Sequence, residues 1–457
     1  MSKGKSNKRK KSRRRSKQRR PGKADFRRRT QVAAPADPEI ERRLRQLLSP
    51  AALAPMRASG RKLKLRERLL SLPVMVAIVL SLVWRQIPSL SEVVRVLARE
   101  GLLWLSPMKV SKQAVSARFE ALPATLWEQM LNQVIQQINQ QRRDSQAASS
   151  SLAQPQYQPQ LQQRFSQLAL ADASTLEELM RKSQENKEAS RLVAGKMMML
   201  VSAFDHVPLQ AWYTTEVHAN ERRWADELLA ALPVNGLMIF DLGFFSFPLF
   251  DDFTEQEKYV VTRMREKTAY RTVEVLSQGP RYRDEIIRVG VYRARPCHSR
   301  LRMVSVLWGT KWYRYLTNVL DPQRLSAQMV CELYRGRWRI EEAFLLTKRL
   351  LGLSYFFGGS SNAVQIQVYA TWIFYAVLVD LCRQVSEALS VPLPRVSVEM
   401  VFRGLYHYSR AVERGETDDV VAFYVEHAKL LSLVKAIRKR HRLADQQRVE
   451  IWGGLLS

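Results

Sequence analysis

The sequence is short of cysteine. Cys297, Cys331 and Cys382 lie far apart, and none belongs to a Cys-x2-Cys or Cys/His cluster. That excludes a zinc-finger ligand set and a disulfide framework, and it suits a reducing compartment. Acidic residues are also scarce, 43 against 73 Lys and Arg, for a formal charge of +30. An excess of that size points to a polyanionic partner, nucleic acid first and an anionic membrane surface second. A secretory pattern is missing, because the basic run that opens the chain is not followed by an apolar segment and a small-residue cleavage site. Long apolar runs are few. Residues 69–84 stop short of the roughly 20 needed to span a bilayer and include Pro73; residues 363–382 are long enough but carry Gln365, Gln367 and Asp380. Both read as buried core helices, so no membrane partner is expected.

What is present is unevenly spread. Residues 1–30 contain 16 Lys and Arg and one Asp, half of the net charge. Residues 1–45 therefore read as a basic tail, disordered when free and suited to phosphates without sequence preference. Residues 46–135 read as a helical N-terminal DNA-binding domain, with the better segments at 66–84, 89–99 and 111–122. Ser111 is a good N-cap for the last of these. The helix it opens resembles the second helix of a helix-turn-helix, from which Lys112, Gln113, Ser116 and Arg118 would reach a DNA groove. Residues 136–165, rich in Gln and Ser, read as a linker.

From about residue 166 the pattern becomes α/β. Strands are expected at 167–172, 193–204 and 207–217, a helix at 220–232 with Asn220 as N-cap, and an apolar strand at 236–240 ending in Asp241. Three strands, a helix and a strand match the start of a ribonuclease-H-like fold. The expected catalytic core is residues 166–257 and 321–389. Residues 258–320, with five strand candidates, form a β insertion, and residues 390–457 are helical.

One stretch carries chemistry. Residues 334–348 read as a single helix with Gly336 in its first turn. At about 100° per residue, Tyr334, Arg337, Glu341 and Lys348 fall within roughly 60° of one another. By charge pattern alone such a face is what a solvated salt-bridge helix displays. The spacing Tyr-x2-Arg-x3-Glu-x6-Lys, however, resembles the signature of the insertion-sequence-four family of DDE transposases. Asp172, after an apolar strand and before Ala173-Ser174-Thr175, resembles that family's first acidic motif, with Ala in place of the usual Gly. Asp241, in Asp-Leu-Gly-Phe-Phe, resembles the second.

The resemblance, over about residues 165–385, implies a DNA transposase. Asp172, Asp241 and Glu341 would hold two Mg²⁺ ions, with Mn²⁺ able to stand in, for in-line phosphodiester displacement. It would cut DNA at terminal inverted repeats and join the 3′ ends to target DNA. It implies further that Tyr334, Arg337 and Lys348 grip the phosphate near the transposon end. Arg335 and Arg339 would meet flanking backbone, and Trp308 or Trp312 would stack on an extruded base. Double-stranded DNA is the expected partner, for a homodimer on DNA in a prokaryotic cytoplasm, associated with the nucleoid. Two rival readings remain: a catalytically silent DNA-binding derivative, and a ribonuclease-H-like nuclease without strand transfer.

Overall fold

The computed structural model describes residues 36–56, 69–146, 158–176, 195–351 and 353–436, with 451 and 452, a few single positions excepted. Most of the expected basic tail and of the basic segment 435–442 lies outside the described residues.

Nine strands hydrogen-bond into one mixed sheet: β1 (Leu168–Leu176), β2 (Gly195–Ser202), β3 (Pro208–Thr214), β4 (Leu237–Phe240), β5 (Tyr259–Arg263), β6 (Tyr270–Gly279), β7 (Tyr282–Val289), β8 (Leu301–Trp308) and β9 (Lys311–Thr317). Their order is β3-β2-β1-β4-β5-β9-β8-β7-β6. Strands β1, β4 and β5 run parallel, β2 is antiparallel to β1 and β3, and β6 to β9 form an antiparallel meander. Parallel strands need both faces covered, and β4, Leu-Met-Ile-Phe, is buried at all four positions.

Alternation along β1 divides the interior in two, because successive side chains point to opposite faces. Leu168 and Leu170 join a large cluster with most of the helices. Ala169 and Ala171 join a smaller one with Trp224, Phe240, Phe250 and Phe253. On the large side lie α1 (Pro38–Leu48), α2 (Leu72–Trp84), α3 (Leu90–Arg99), α4 (Lys112–Ala121), α5 (Ala124–Gln146) and α6 (Gln158–Arg164). On the small side lie α7 (Ala225–Ala231) and α8 (Phe247–Glu255). The large side is completed by α9 (Ala327–Gly336), α10 (Arg339–Arg349), α11 (Ser361–Ala388), α12 (Val398–Glu413) and α13 (Val420–Glu426). Helix α11 is apolar through its middle because residues 366–379 are buried without a break. Among the described residues it is the one helix long and apolar enough to cross a membrane, and 89% of its apolar window is buried inside the fold.

Four expectations change. The expected tail 1–45 is helical at its end, where α1 begins at Pro38 and Asp37 caps it by accepting from the Glu39 and Ile40 amides. The span 136–165 is not a loose linker at its start, since α5 runs to Gln146. Gln is a good helix former, and Val134, Ile135 and Ile138 keep one apolar face buried beneath the Gln-rich surface. The helices of residues 46–135 share the large cluster with the sheet. Asn362 on α11 ties them in, donating to the Phe119 and Leu122 carbonyls (2.8 and 2.6 Å) and accepting from the Ala124 amide (3.0 Å). Finally, β5 pairs with β4 and so belongs to the parallel part of the sheet, while the rest of 258–320 extends the same sheet edge to edge. Where β7 meets β8, the fully buried Arg302 forks onto Asp284 (2.7 and 2.6 Å) and donates to the Leu325 carbonyl (2.6 Å).

Candidate active site

Asp172 and Asp241 stand side by side. The parallel register pairs Ala171 with Phe240. The next residues on the two strands are therefore neighbours, with backbones about 4.8 Å apart. Asp172 is not at the end of β1, as its motif suggested. The strand continues to Leu176 against β2, and it is the pairing with β4 that ends there. Asp172 Oδ1 accepts from the Ala173 amide at 2.8 Å.

The helix expected over 334–348 is two helices. Residues 337 and 338 separate α9 from α10, and the joint is closed by i to i+3 bonds: Arg337 N to Tyr334 O, Ile340 N to Arg337 O and Glu341 N to Trp338 O, at 3.1, 3.1 and 3.0 Å. Arg337 and Trp338 keep right-handed helical angles, so the tighter turn bends the chain without turning the polar face away. Tyr334 donates its hydroxyl to Asp241 Oδ1 at 3.0 Å. Arg337 reaches Asp172 Oδ2 with one nitrogen (2.9 Å) and Glu341 Oε1 with another (3.0 Å). Lys348 donates to Ser174 Oγ at 2.6 Å. All four signature side chains thus face the ends of β1 and β4.

Burial dominates the electrostatics of this rim. It pushes the Asp172 carboxyl up to about 6. Arg337 and the Ala173 amide pull the other way, and the charges of Glu221 and Asp241 add to the rise. Tyr334 is likewise raised, by burial and then by the neighbouring Asp241 charge. For Arg337, burial would lower the pKa, but Asp241 and Asp172 outweigh it and hold the guanidinium charged. Glu341 is 60% exposed and meets Asp172 only through Arg337. Among the described residues no three Asp, Glu, His or Cys side chains come close enough together to hold a metal ion.

The remaining sequence-picked residues divide. Arg335 lies over the Trp308 ring at 4.4 Å, in a cavity of about 150 Å³ that Tyr315 and Trp452 also line. Arg339 is turned inward, its pKa lowered by burial and countered by Glu342 and Glu332. Trp312 is 45% exposed. Glu342, beside the third acid, pairs instead with Lys435 at 2.5 Å. On α4, Ser111 caps the helix as expected, accepting from the Ala114 amide at 3.1 Å. Lys112 and Gln113 are exposed and Ser116 is half-buried. Arg118 is held back, its Nε donating to the Leu70 carbonyl at 3.0 Å.

Sequence reasoning missed Glu221. It pairs with Lys196 at 3.1 Å and lies against the second acidic motif, with its Oε2 1.7 Å from where a Cβ on Gly243 would stand. Next to it, Arg222 donates to the Phe245 carbonyl at 2.7 Å. A side chain at the glycine of Asp-Leu-Gly-Phe-Phe would have to push this carboxylate, from the turn after β3, aside. The cap at Asn220, which does accept from the Arg222 amide at 3.1 Å, was the one signal in that turn.

Residues 163–376 match the family model of the transposase DDE domain. The match takes in all three candidate acids and just under half of the chain. The chain is similar to the "Probable transposase for insertion sequence element IS5377" of Geobacillus stearothermophilus, 26% identical over 174 residues, which are 37% of this chain and 45% of that protein. It is also similar to the "Putative transposase y4zB" of Sinorhizobium fredii (strain NBRC 101917 / NGR234), 32% identical over 91 residues, 20% of this chain and 25% of that one. The matched regions thus span less than half of either curated relative. A piggyBac transposase in a synaptic complex with hairpin DNA aligns over 87% of both chains, at 11% identity and a TM-score of 0.37, a likeness too distant to argue from. Residues 163–376 are thus similar to a transposase DDE domain, and the two relatives carry transposase names.

Proposed function

We propose that the chain is a DNA transposase of the DDE type, with Asp172, Asp241 and Glu341 as its acids and an insertion-sequence-four signature on α9 and α10. The observation that carries this reading is a juxtaposition. Two aspartates adjoin on parallel strands, and each is gripped by a side chain that the signature spacing singles out, Asp241 by Tyr334 and Asp172 by Arg337. A ribonuclease-H-like core is part of the proposal. It is supported by the order β3-β2-β1-β4-β5, in which only β2 runs against the other four.

The donor set suits a hard cation, since all three groups are carboxylates and hard cations take oxygen ligands. Asp172, Asp241 and Glu341 would hold divalent ions, Mg²⁺ or Mn²⁺. Such ions, when bound, activate the attacking oxygen and stabilise the leaving one. In the free chain Arg337 supplies the positive charge that Asp172 and Glu341 require. A DNA phosphate offers Arg337 a single bidentate partner in place of one bond to each of two carboxylates, so substrate binding draws the guanidinium off the acids. Lys348 adds a point charge beside Ser174. Tyr334 fixes the Asp241 carboxylate in one orientation. Cutting at terminal repeats, joining of 3′ ends, a homodimer on DNA and a place in the prokaryotic cytoplasm at the nucleoid complete the reading.

The test is cleavage of an inverted-repeat end from DNA flanking the gene, with Mg²⁺ or Mn²⁺. Glu341→Gln and Asp241→Asn keep end binding but lose cleavage; unchanged cleavage by either variant ends the assignment. A second reading, a DNA-binding derivative without catalysis, is favoured by the exposure of Glu341 and its tie to Arg337. It expects the unaltered chain to bind DNA and never cut it.

A further inference from the structure

The β8-β7-β6 end of the sheet carries charges that nothing among the described residues answers. Arg271 on β6 and Arg288 on β7 are direct cross-strand partners. One step past the last β7–β8 pair, Ile287 with Leu301, Arg300 comes opposite Arg288. Three exposed arginines therefore stand in a row across three strands, with about 4.8 Å between strands. Like charges directly opposite one another destabilise a sheet. None of the three has an acidic partner among the described residues. The nearest acid on that face, Glu274, stands two pairs further along, opposite Ile286, and forms no ion pair among the described residues.

The loop from β7 to β8 adds to the row. Arg293 and Arg295 are exposed and also lack acidic partners among the described residues. Tyr292 is 87% exposed, an unusual setting for an aromatic ring. The loop is nonetheless fastened at both ends. Gly290 turns at φ +74°, with the Phe247 ring where a Cβ would be. At the other end the Asp251 carboxylate accepts from the amides of Ser299 and His298 (2.7 and 3.1 Å) and from the Cys297 thiol (3.3 Å). Phe247 and Asp251 belong to α8, the helix that follows the Asp241 motif.

We infer that this arginine ledge is a second DNA-contact surface, which tracks the phosphates of a duplex without reading its sequence, with Tyr292 against sugar or base. A row of guanidiniums without acidic partners among the described residues is complementary to a line of phosphate charges, and each phosphate met releases condensed counterions. This deepens the transposase reading, since it places flanking DNA on a surface separate from the acids. It does not need the chemistry to be right.

The experiment measures binding of the full chain to a labelled duplex of arbitrary sequence, by fluorescence anisotropy across a salt series, with EDTA present. The variant is Arg271→Gln/Arg288→Gln/Arg300→Gln. Other basic contacts are common to both proteins and cancel. The expected result is a slope of log K against log salt shallower by about 2.7, from roughly 0.9 per phosphate lost, with an unchanged or higher melting temperature because the repulsion is relieved. Arg293→Gln/Arg295→Gln, on the loop alone, reduces the slope by about 1.8 on the same scale. An unchanged slope in both variants overturns the inference. So does loss of binding to phosphatidylglycerol vesicles with duplex binding intact, since the ledge then faces a membrane. If the unaltered chain fails to cut its own end sequence while the slope still falls, the ledge stands and the transposase reading alone is lost.

Discussion

At the ends of β1 and β4 each signature charge is met from within the chain. Arg337 serves Asp172 and Glu341, Tyr334 serves Asp241, and Lys348 serves Ser174. Across β6, β7 and the loop that leads into β8, five arginines face water with no such partner among the described residues. The two arrangements imply two kinds of binding. A ligand at the first must exchange one set of bonds for another, so affinity is reduced by what is given up and wrong ligands are rejected. At the second nothing is given up, and the contact is indifferent to sequence and sensitive to salt.

The sharpest test of that contrast uses two arginines close together on β7 and β8. Arg302→Ala leaves Asp284 buried without its partner and should cost about 3–5 kcal/mol, seen as a large drop in the urea midpoint. Arg288→Gln, on the ledge, should change stability by no more than about 0.5 kcal/mol in either direction. Equal losses in the two would abolish the distinction.

A second test uses pH. Asp172 has a folded pKa raised to about 6 against about 3.9 when unfolded. Below about pH 4 both states hold the proton and the group contributes no penalty. As pH rises through 4 to 6 the unfolded chain releases it first, so stability falls, by about 3 kcal/mol in total, and then levels off. Melting curves in EDTA should show this decline, and Asp172→Asn should flatten it. A decline that survives the substitution assigns it to another group. A third test, with a smaller loss than the first two, is Gly243→Ala. Its Cβ displaces the far end of the Glu221 side chain, which can give way, so the cost should be about 1 kcal/mol, the low end of overpacking. Adding Glu221→Ala should recover most of that loss; an additive second loss would show that Glu221 is not the obstacle.

Much of the candidate site was legible because covalent spacing carries it. Tyr334, Arg337, Glu341 and Lys348 lie within 15 residues of one another, and helical periodicity puts them on one face. The two aspartates follow apolar strands whose parallel pairing brings them together. The break between α9 and α10 was not legible, since no Pro marks it and it rests on three tightened hydrogen bonds. Glu221 was missed because its reason for being there, Gly243, is 22 positions along the chain and meets it only in the fold. The ledge was hidden in the same way. Arg271, Arg288 and Arg300 are unremarkable in the sequence until strand register sets them opposite one another. The Gln-rich stretch misled for another reason, as its composition masked Ile138, which continues the buried face of Val134 and Ile135 along the same helix.

The three hydrogen bonds of Asn362 bear on how this chain can be dissected. The span that matches a transposase DDE domain ends inside α11, at residue 376, whereas α11 itself runs on to Ala388 with α5 packed along it. A fragment cut to the recognised span would sever that rod part-way and strip the cover from its apolar side. Expressed alone it should aggregate, whereas a piece starting near residue 36 should stay in solution. The boundary drawn by kinship and the boundary drawn by packing are different lines, and protein production has to follow the second.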